Sequence, residues 1–304
     1  MGKEKKLTEE IRFIKKSDSE YPAILNCYER MPKGLYLKGR FPDPDRKTVA
    51  MIGARGCSNY GRTQALHFSK MLAEAGVQII SGMAYGVDSY ALKGALEAGG
   101  KAFAVLGCGV DICYPKENYY LYEEILKKGG GIISEYETGS PPLSWHFPIR
   151  NRIISALADL VLVVEARKKS GSLITADYAL EQGKSVFAVP GRVGDACSTG
   201  CNALIAQGAG IAWSPEVVLD ELYAGSYVCK DENEEAVNWR IMKLSPEERK
   251  VYQCLQATEQ SVDGICNVCG MESRLVAVCL TSLCMEGLAV CRQPGYYCRM
   301  EEWE

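Results

Sequence analysis

The sequence predicts an α/β fold built on a doubly wound, mostly parallel sheet, followed by a small second domain. Three observations carry this. Apolar runs stop at glycine-rich turns, and helix-like stretches begin directly after them, at Gly53-Ala54-Arg55, Ser81 to Gly86, Leu106 to Gly109, Ser170-Gly171-Ser172 and Pro190-Gly191-Arg192. The apolar runs are short and continuous rather than alternating, as in strands buried on both faces. Strand-like and helix-like segments then alternate with short connections, the pattern of βαβ units.

Residues 1–45 are expected to form an extension packed on the core, ending in the proline-rich Phe41-Pro42-Asp43-Pro44-Asp45. Thr48 to Ile52 is the first buried strand, and a helix pattern runs from Arg62 to Ala75. The strand Val77 to Ile80 precedes a helix over Val87 to Ala98, and Lys101 to Leu106 is the third strand. A loop through Tyr114-Pro115 leads to a helix around Tyr119 to Lys127, then the strand Gly131 to Glu135. A long loop and a helix near Arg150 to Leu157 precede the strand Leu160 to Val164. The helix Leu173 to Gln182, the strand Ser185 to Val189, a helix near Ala203 and a short strand at Ile211 to Trp213 complete the domain. Strand order is not legible at this level.

The 304 residues, 47% hydrophobic and 24% charged, fit one large and one small soluble domain. The domains are expected at 46–224 and 245–304, joined by a polar, acidic linker over 225–244. Ser245-Pro246-Glu247-Glu248 opens the second domain with a capping serine, proline at the first helical position and an acid where a capping box needs one. No apolar run reaches membrane-spanning length, and Met1 to Lys6 has charge without an apolar segment behind it. The expectation is a cytoplasmic protein with no membrane partner. Its fourteen cysteines then read as reduced thiols that pack as small apolar residues. Cys266-Asn267-Val268-Cys269 lacks a matching second pair, so no metal is expected.

Function is read from the sheet edge. In a parallel sheet the glycine turns all open at the carboxyl ends of the strands, where each helix start offers unpaired N–H groups and a positive dipole end. Several such starts in a row suit a ligand with several phosphates. The net charge of −3 excludes a uniformly basic surface but leaves room for a local basic groove. There is no G-x-x-x-x-G-K-[ST] loop, and Gly107-Cys108-Gly109 lacks the third glycine of a dinucleotide fingerprint. No cofactor is expected.

The densest constellation is Trp145-His146-Phe147-Pro148-Ile149-Arg150-Asn151-Arg152. Aromatic faces stack on bases and guanidinium groups pair with phosphates, so Phe147, Arg150, Asn151 and Arg152 are candidate contacts. Two positions apart on a helix, the two arginines point to different sides. One of them is expected to brace an internal carboxylate such as Glu135 or Glu165, and a structural role for both stays open. Arg55, at the mouth of the first glycine turn, is a candidate phosphate contact. Ser170, Gly171 and Ser172 place hydroxyls and N–H groups at a helix start, with a plain N-cap as the alternative. Lys184 and Arg192 flank the last long strand, as phosphate contacts or ordinary surface charges. Catalysis has little support: His67 lies in a helix pattern, and His146 has no serine–acid or metal partner motif beside it.

Taken together these runs resemble the DNA-processing protein A (DprA/Smf) family. The resemblance rests on Tyr21-Pro22, Gly34 to Gly39, Ile52 to Arg55 with Tyr60-Gly61, Ser81 to Asp88, Val105 to Gly109, Tyr114-Pro115, Ser134-Glu135, Phe147 to Arg152, Ser170 to Ala176 and Pro190-Gly191, in that order. It implies a Rossmann-like domain that binds single-stranded DNA without catalysing a reaction and forms a homodimer. It further implies protection of incoming DNA and its transfer to the RecA recombinase during natural transformation. Carried onto this chain, the contacts are Arg55, Gly86, Phe147, Arg150, Asn151, Ser170, Gly171 and Ser172. The end of the chain resembles the winged-helix domain often attached to this family, although the stretch Glu272 to Glu286 has few basic residues. The rival is a nucleotide-binding or nucleotide-cleaving Rossmann-like enzyme or sensor. That group carries a Pro-Gly-Gly-x-Gly-Thr turn, where this chain has Ser170-Gly171-Ser172-Leu173-Ile174-Thr175.

Overall fold

The computed structural model describes residues 10–224, 244–256, 258–293 and 295–299. The linker expected over 225–244 lies almost wholly outside the described residues. Two compact units divide between Leu222 and Tyr223.

In the first unit the strands are β1 (Ile11–Lys15), β2 (Gly34–Gly39), β3 (Thr48–Gly53), β4 (Gln78–Ser81), β5 (Ala102–Leu106), β6 (Gly131–Ser134), β7 (Leu160–Glu165), β8 (Ser185–Ala188) and β9 (Gly210–Ile211). The helices are α1 (Asn59–Glu74), α2 (Val87–Glu97), α3 (Tyr119–Lys127), α4 (His146–Ala156), α5 (Gly171–Glu181), α6 (Thr199–Ala206) and α7 (Pro215–Ala224). The described strands form one sheet in the order β1-β2-β6-β5-β4-β3-β7-β8-β9. From β6 to β9 every pairing is parallel, while β1 and β2 add an antiparallel edge. The fold is Rossmann-like, and its strand order reverses between β3 and β7. In such sheets the carboxyl ends of the two strands at the reversal part to leave a crevice.

The continuous apolar runs are buried because helices cover both faces. Ala50, Ile52, Ile80, Phe103 and Val105 pack with Ile153 and Ile154 of α4, Ala176 and Ala179 of α5, and Leu25, Leu35 and Leu37 of the amino-terminal segment. α1, α2 and α3 carry buried Phe68, Leu72, Leu92 and Ile125. The segment expected only as an extension therefore completes the sheet. Tyr21 locks it by donating from its hydroxyl to the carbonyl of Pro32 at 2.7 Å.

Three element expectations are corrected. α4 begins at His146, four residues before Arg150, so Phe147 lies in its first turn rather than in a loop. α1 starts at Asn59 because Ser58 caps it, accepting from the Gly61 N–H at 3.1 Å. After β9 the chain forms α7, which the sequence analysis did not assign.

The second unit contains α8 (Pro246–Cys254), β10 (Gln260–Ser261), α9 (Val262–Cys269), α10 (Ser273–Met285), β11 (Ala289–Gln293) and β12 (Tyr296–Arg299). Its antiparallel sheet has the order β10-β12-β11. Helix, strand, two helices and a terminal hairpin follow one another as in a winged helix. Ser245 and Glu248 form the expected capping box. Val251, Leu255, Ile265, Val276, Leu280 and Leu283 form the core of the unit. Cys266 and Cys269 lie on α9, where the Cys269 thiol donates to the Cys266 carbonyl. No single helix among the described residues is long and apolar enough to cross a membrane.

Candidate nucleic-acid interface

A cleft of about 570 Å³ opens at the β3/β7 reversal. One wall is the loop after β3, with Gly53, Ala54, Arg55 and Gly56, and the other is the loop after β7, with Arg167, Lys169, Ser170 and Gly171. Arg150 and Ile154 of α4 lie between them, with Phe147 and Asn151 alongside.

The first wall is held from below. The Ala54 N–H donates to the Glu165 carbonyl at 2.7 Å, and the Val87 N–H donates to the Ala54 carbonyl at 3.2 Å. Glu165 is almost fully buried, and its carboxylate accepts from the Ser58 N–H at 2.7 Å and from the Ser58 hydroxyl at 2.5 Å. A buried carboxylate that accepts these two hydrogen bonds fixes the loop. Gly86 supports the same loop. Its φ is +77°, and a Cβ there would stand 2.3 Å from the Ala54 oxygen and 2.4 Å from the Arg55 oxygen. Only glycine combines that conformation with that approach. Gly86 thus acts by seating the Arg55 loop.

Arg55 itself is exposed. Its guanidinium carbon lies 5.2 Å from the centroid of the Phe147 ring, a cation–π arrangement. Phe147 packs over Gly107, where a Cβ would come within 3.0 Å of the ring. A planar cation resting on an aromatic face at the mouth of a cleft can meet a phosphate and a base together.

Arg150 differs from Arg55. It is only 3% exposed, and it donates to the carbonyls of Gly82, at 3.0 Å, and Val105. Asp88 and Arg150 both face Gly82, whose N–H donates to the Asp88 carboxylate at 3.1 Å. Burial pulls the Arg150 pKa down to about 10, against the attraction of Asp88. Burial likewise pushes the Asp88 carboxyl above its usual range, against the attraction of Arg150. Arg150 is therefore the floor of the cleft. Its Nε is left without a hydrogen-bond partner among the described residues.

Ser170 caps α5, and its hydroxyl lies 2.7 Å from that of Ser172. Gly171 faces open space, and the amino end of α5, whose Ser172 and Leu173 N–H groups donate to Ser170, lies in the cleft beside Arg167 and Lys169. Asn151 reaches across at 3.5 Å, its amide donating to the Gly171 carbonyl. Arg55, Phe147, Arg150, Asn151, Ser170, Gly171 and Ser172 thus line one cleft.

Besides Gly86, which acts from behind the Arg55 loop, three candidates fall outside it. Arg152 is committed as a brace, with Nη1 and Nη2 donating to Glu135 at 2.8 and 2.7 Å and Nε donating to the Arg30 carbonyl at 2.9 Å. Lys184 precedes β8 and so stands at the amino edge of the sheet, with its ammonium 5.5 Å from the Tyr28 ring centroid. There it lines a separate cavity of about 750 Å³ with Arg40, Phe41 and Thr48. Arg192 is exposed on the loop after β8, outside the residues lining the cleft.

Sequence reasoning missed Arg167 and Lys169, although both stand at a strand end just before Ser170, the position that singled out Arg55. It also offered Glu165 as a partner for arginine, whereas Glu165 holds Ser58. His146 is buried, with Nδ1 2.9 Å from the Gly107 carbonyl and its ring stacked on Tyr136, which marks it as part of the support for Phe147.

Residues 12–223 match the family described as DNA recombination-mediator protein A. The chain is 42% identical to protein Smf of Escherichia coli over 216 residues, covering 71% of this chain and 58% of that protein. The chain therefore spans less than two thirds of that relative's length. It is 41% identical to the DNA processing protein DprA of Streptococcus pneumoniae, covering 67% of this chain and 72% of the relative. Among solved structures it is similar to DNA processing protein A from S. pneumoniae, with a TM-score of 0.65 and 39% identity over 71% of this chain and 76% of that one. It is also similar to DNA processing protein A from Helicobacter pylori, a structure that describes a single-stranded DNA binding mode. There the TM-score is 0.63 and the identity 30%, over 71% of this chain and 97% of that one. The chain belongs to the DNA recombination-mediator protein A family.

Proposed function

We propose that this family member binds single-stranded DNA in the β3/β7 cleft, without catalysis, and delivers it to a RecA-type recombinase in the cytoplasm during natural transformation, protecting the strand meanwhile. One observation carries the binding step: Arg55 lies over the Phe147 ring in the same cleft that the amino end of α5 lines. Cation, aromatic face and helix dipole are the three features a strand with free bases and regular phosphates requires. The single-stranded DNA binding mode described for the H. pylori relative supports the same ligand. Arg55, Phe147, Asn151, Ser170, Gly171 and Ser172 are assigned as direct contacts. Arg150 supplies charge from the floor, Gly86 seats the loop, and Arg152 holds α4 in place. The region 46–224 is assigned to DNA binding.

A homodimer is part of this reading. β9 pairs on one side only among the described strands, and Ile211 with the nearby Trp213, the latter 69% accessible, forms apolar surface there that a second copy would cover. Band-shift titration of single-stranded against duplex oligonucleotides tests the binding step. Clear preference for the single strand supports it, and equal binding or none rejects it. Transfer to recombinase is tested by measuring RecA filament formation on strands pre-coated with a strand-binding protein, with and without this chain.

A further inference from the structure

Beyond the cleft, one aromatic side chain continues the Phe147 surface outward. Tyr114 is 40% exposed, and its ring centroid lies 5.6 Å from that of Phe147 with 36° between the planes. Arg55, Phe147 and Tyr114 are thus consecutive planar groups along one path leading out of the cleft. At this distance the two rings pack directly against each other as a tilted pair, and the exposed side of Tyr114 is what remains open to a base.

Tyr114 is also held in place. Pro115, next to it, is buried, and its carbonyl accepts from the Asn118 N–H at 3.1 Å. Asn118 is itself buried, and its side-chain amide donates at 2.9 Å to the Met83 carbonyl and at 2.9 Å to the Ser89 hydroxyl. The loop bearing Tyr114 is in this way fastened to the turn after β4. An exposed ring on a fixed loop loses little freedom when a base settles on it, so contact there is efficient.

We infer that Tyr114 is a second stacking platform for an unpaired base, adding one nucleotide to the strand path beyond Phe147. This rests on the assignment of the cleft to single-stranded DNA. The ring supplies the contact and the hydroxyl is dispensable.

The test is fluorescence anisotropy of the full chain with labelled oligothymidylates of increasing length. For the unaltered protein, affinity rises with length until the path is filled. Tyr114→Ala is expected to leave the shortest binding oligomers unchanged and to weaken those that fill the path by roughly 5-fold to 100-fold, the range for one base–aromatic stack. Affinity should also level off one nucleotide earlier. Tyr114→Phe should restore both features. Equal loss at every length would make Tyr114 a mere prop for Phe147, and no loss at any length would place the strand elsewhere. Either result overturns the inference. If Arg55→Ala and Phe147→Ala also leave binding untouched, it is the cleft assignment itself that fails.

Discussion

At the scale of single residues, the two arginines of the cleft illustrate opposite uses of one side chain. Arg55 is exposed and rests on an aromatic face, so its charge is available to solvent-borne anions. Arg150 is buried against carbonyl oxygens and beside Asp88, so its charge is structural before it is functional. Removing one partner of a buried charged pair leaves the other uncompensated. Arg150→Ala is therefore expected to destabilise the first unit by about 3 kcal/mol, read as a lower urea midpoint. Arg55→Ala should leave that midpoint unchanged. The sequence placed both arginines at the right edge of the sheet because each adjoins a strand end or helix start. It could not separate them, because the direction of a side chain on α4 depends on what packs around the helix. Lys184 fails for a simpler reason: a residue just before a parallel strand stands at the amino edge. That was legible in the strand pattern, as were Arg167 and Lys169.

At the scale of elements, the cleft depends on a loop held by backbone contacts. Gly86 touches no cleft surface directly, yet a methyl group there would strike the carbonyls of Ala54 and Arg55. Gly86→Ala should weaken single-stranded DNA binding by about tenfold or more, since the Arg55 loop must shift, while circular dichroism stays native. Unchanged affinity would show that the loop position is unimportant. A second element prediction concerns α8. The Glu248 carboxyl is held below its ordinary value of 4.5, chiefly by a hydrogen bond from Ser282 and also by the Ser245 N–H. A carboxyl whose folded-state pKa is lowered stabilises the fold above its unfolded value and loses that contribution as pH falls through the folded value. The second unit should therefore lose stability as pH drops below about 4.5, and Glu248→Gln should flatten that dependence in thermal melts. The parallel strands and the Ser245 cap were legible because each repeats a local rule. β1 and β2 were not: they are short antiparallel strands, and β2 joins the sheet through β6, which lies about a hundred residues on. The early start of α4 was missed because Pro148, which sits comfortably in a first helical turn, reads as a loop signal.

At the scale of the whole molecule, the family match ends at residue 223, next to the division between the two units. The second unit has the winged-helix order, but the exposed positions of α10 include Leu275, Val278 and Met285 alongside the single cation Arg274. A helix of that composition adds little phosphate attraction. Ending the chain after Ala224 should therefore keep the affinity for single-stranded DNA within about threefold and leave its salt dependence unchanged. A steep loss would assign DNA contact to the second unit.

The central claim is that Arg55 meets a phosphate of an unpaired strand in the β3/β7 cleft. Its most direct test is the dependence of oligothymidylate affinity on salt concentration, measured for the unaltered chain, Arg55→Ala and Lys184→Ala. One phosphate contact on a single strand is worth about 0.7 in the slope of log affinity against log salt. The account predicts that Arg55→Ala lowers affinity and flattens the slope by about that amount, while Lys184→Ala, at the opposite edge, changes neither. An unchanged slope and affinity for Arg55→Ala, or the larger effect at Lys184, would contradict it.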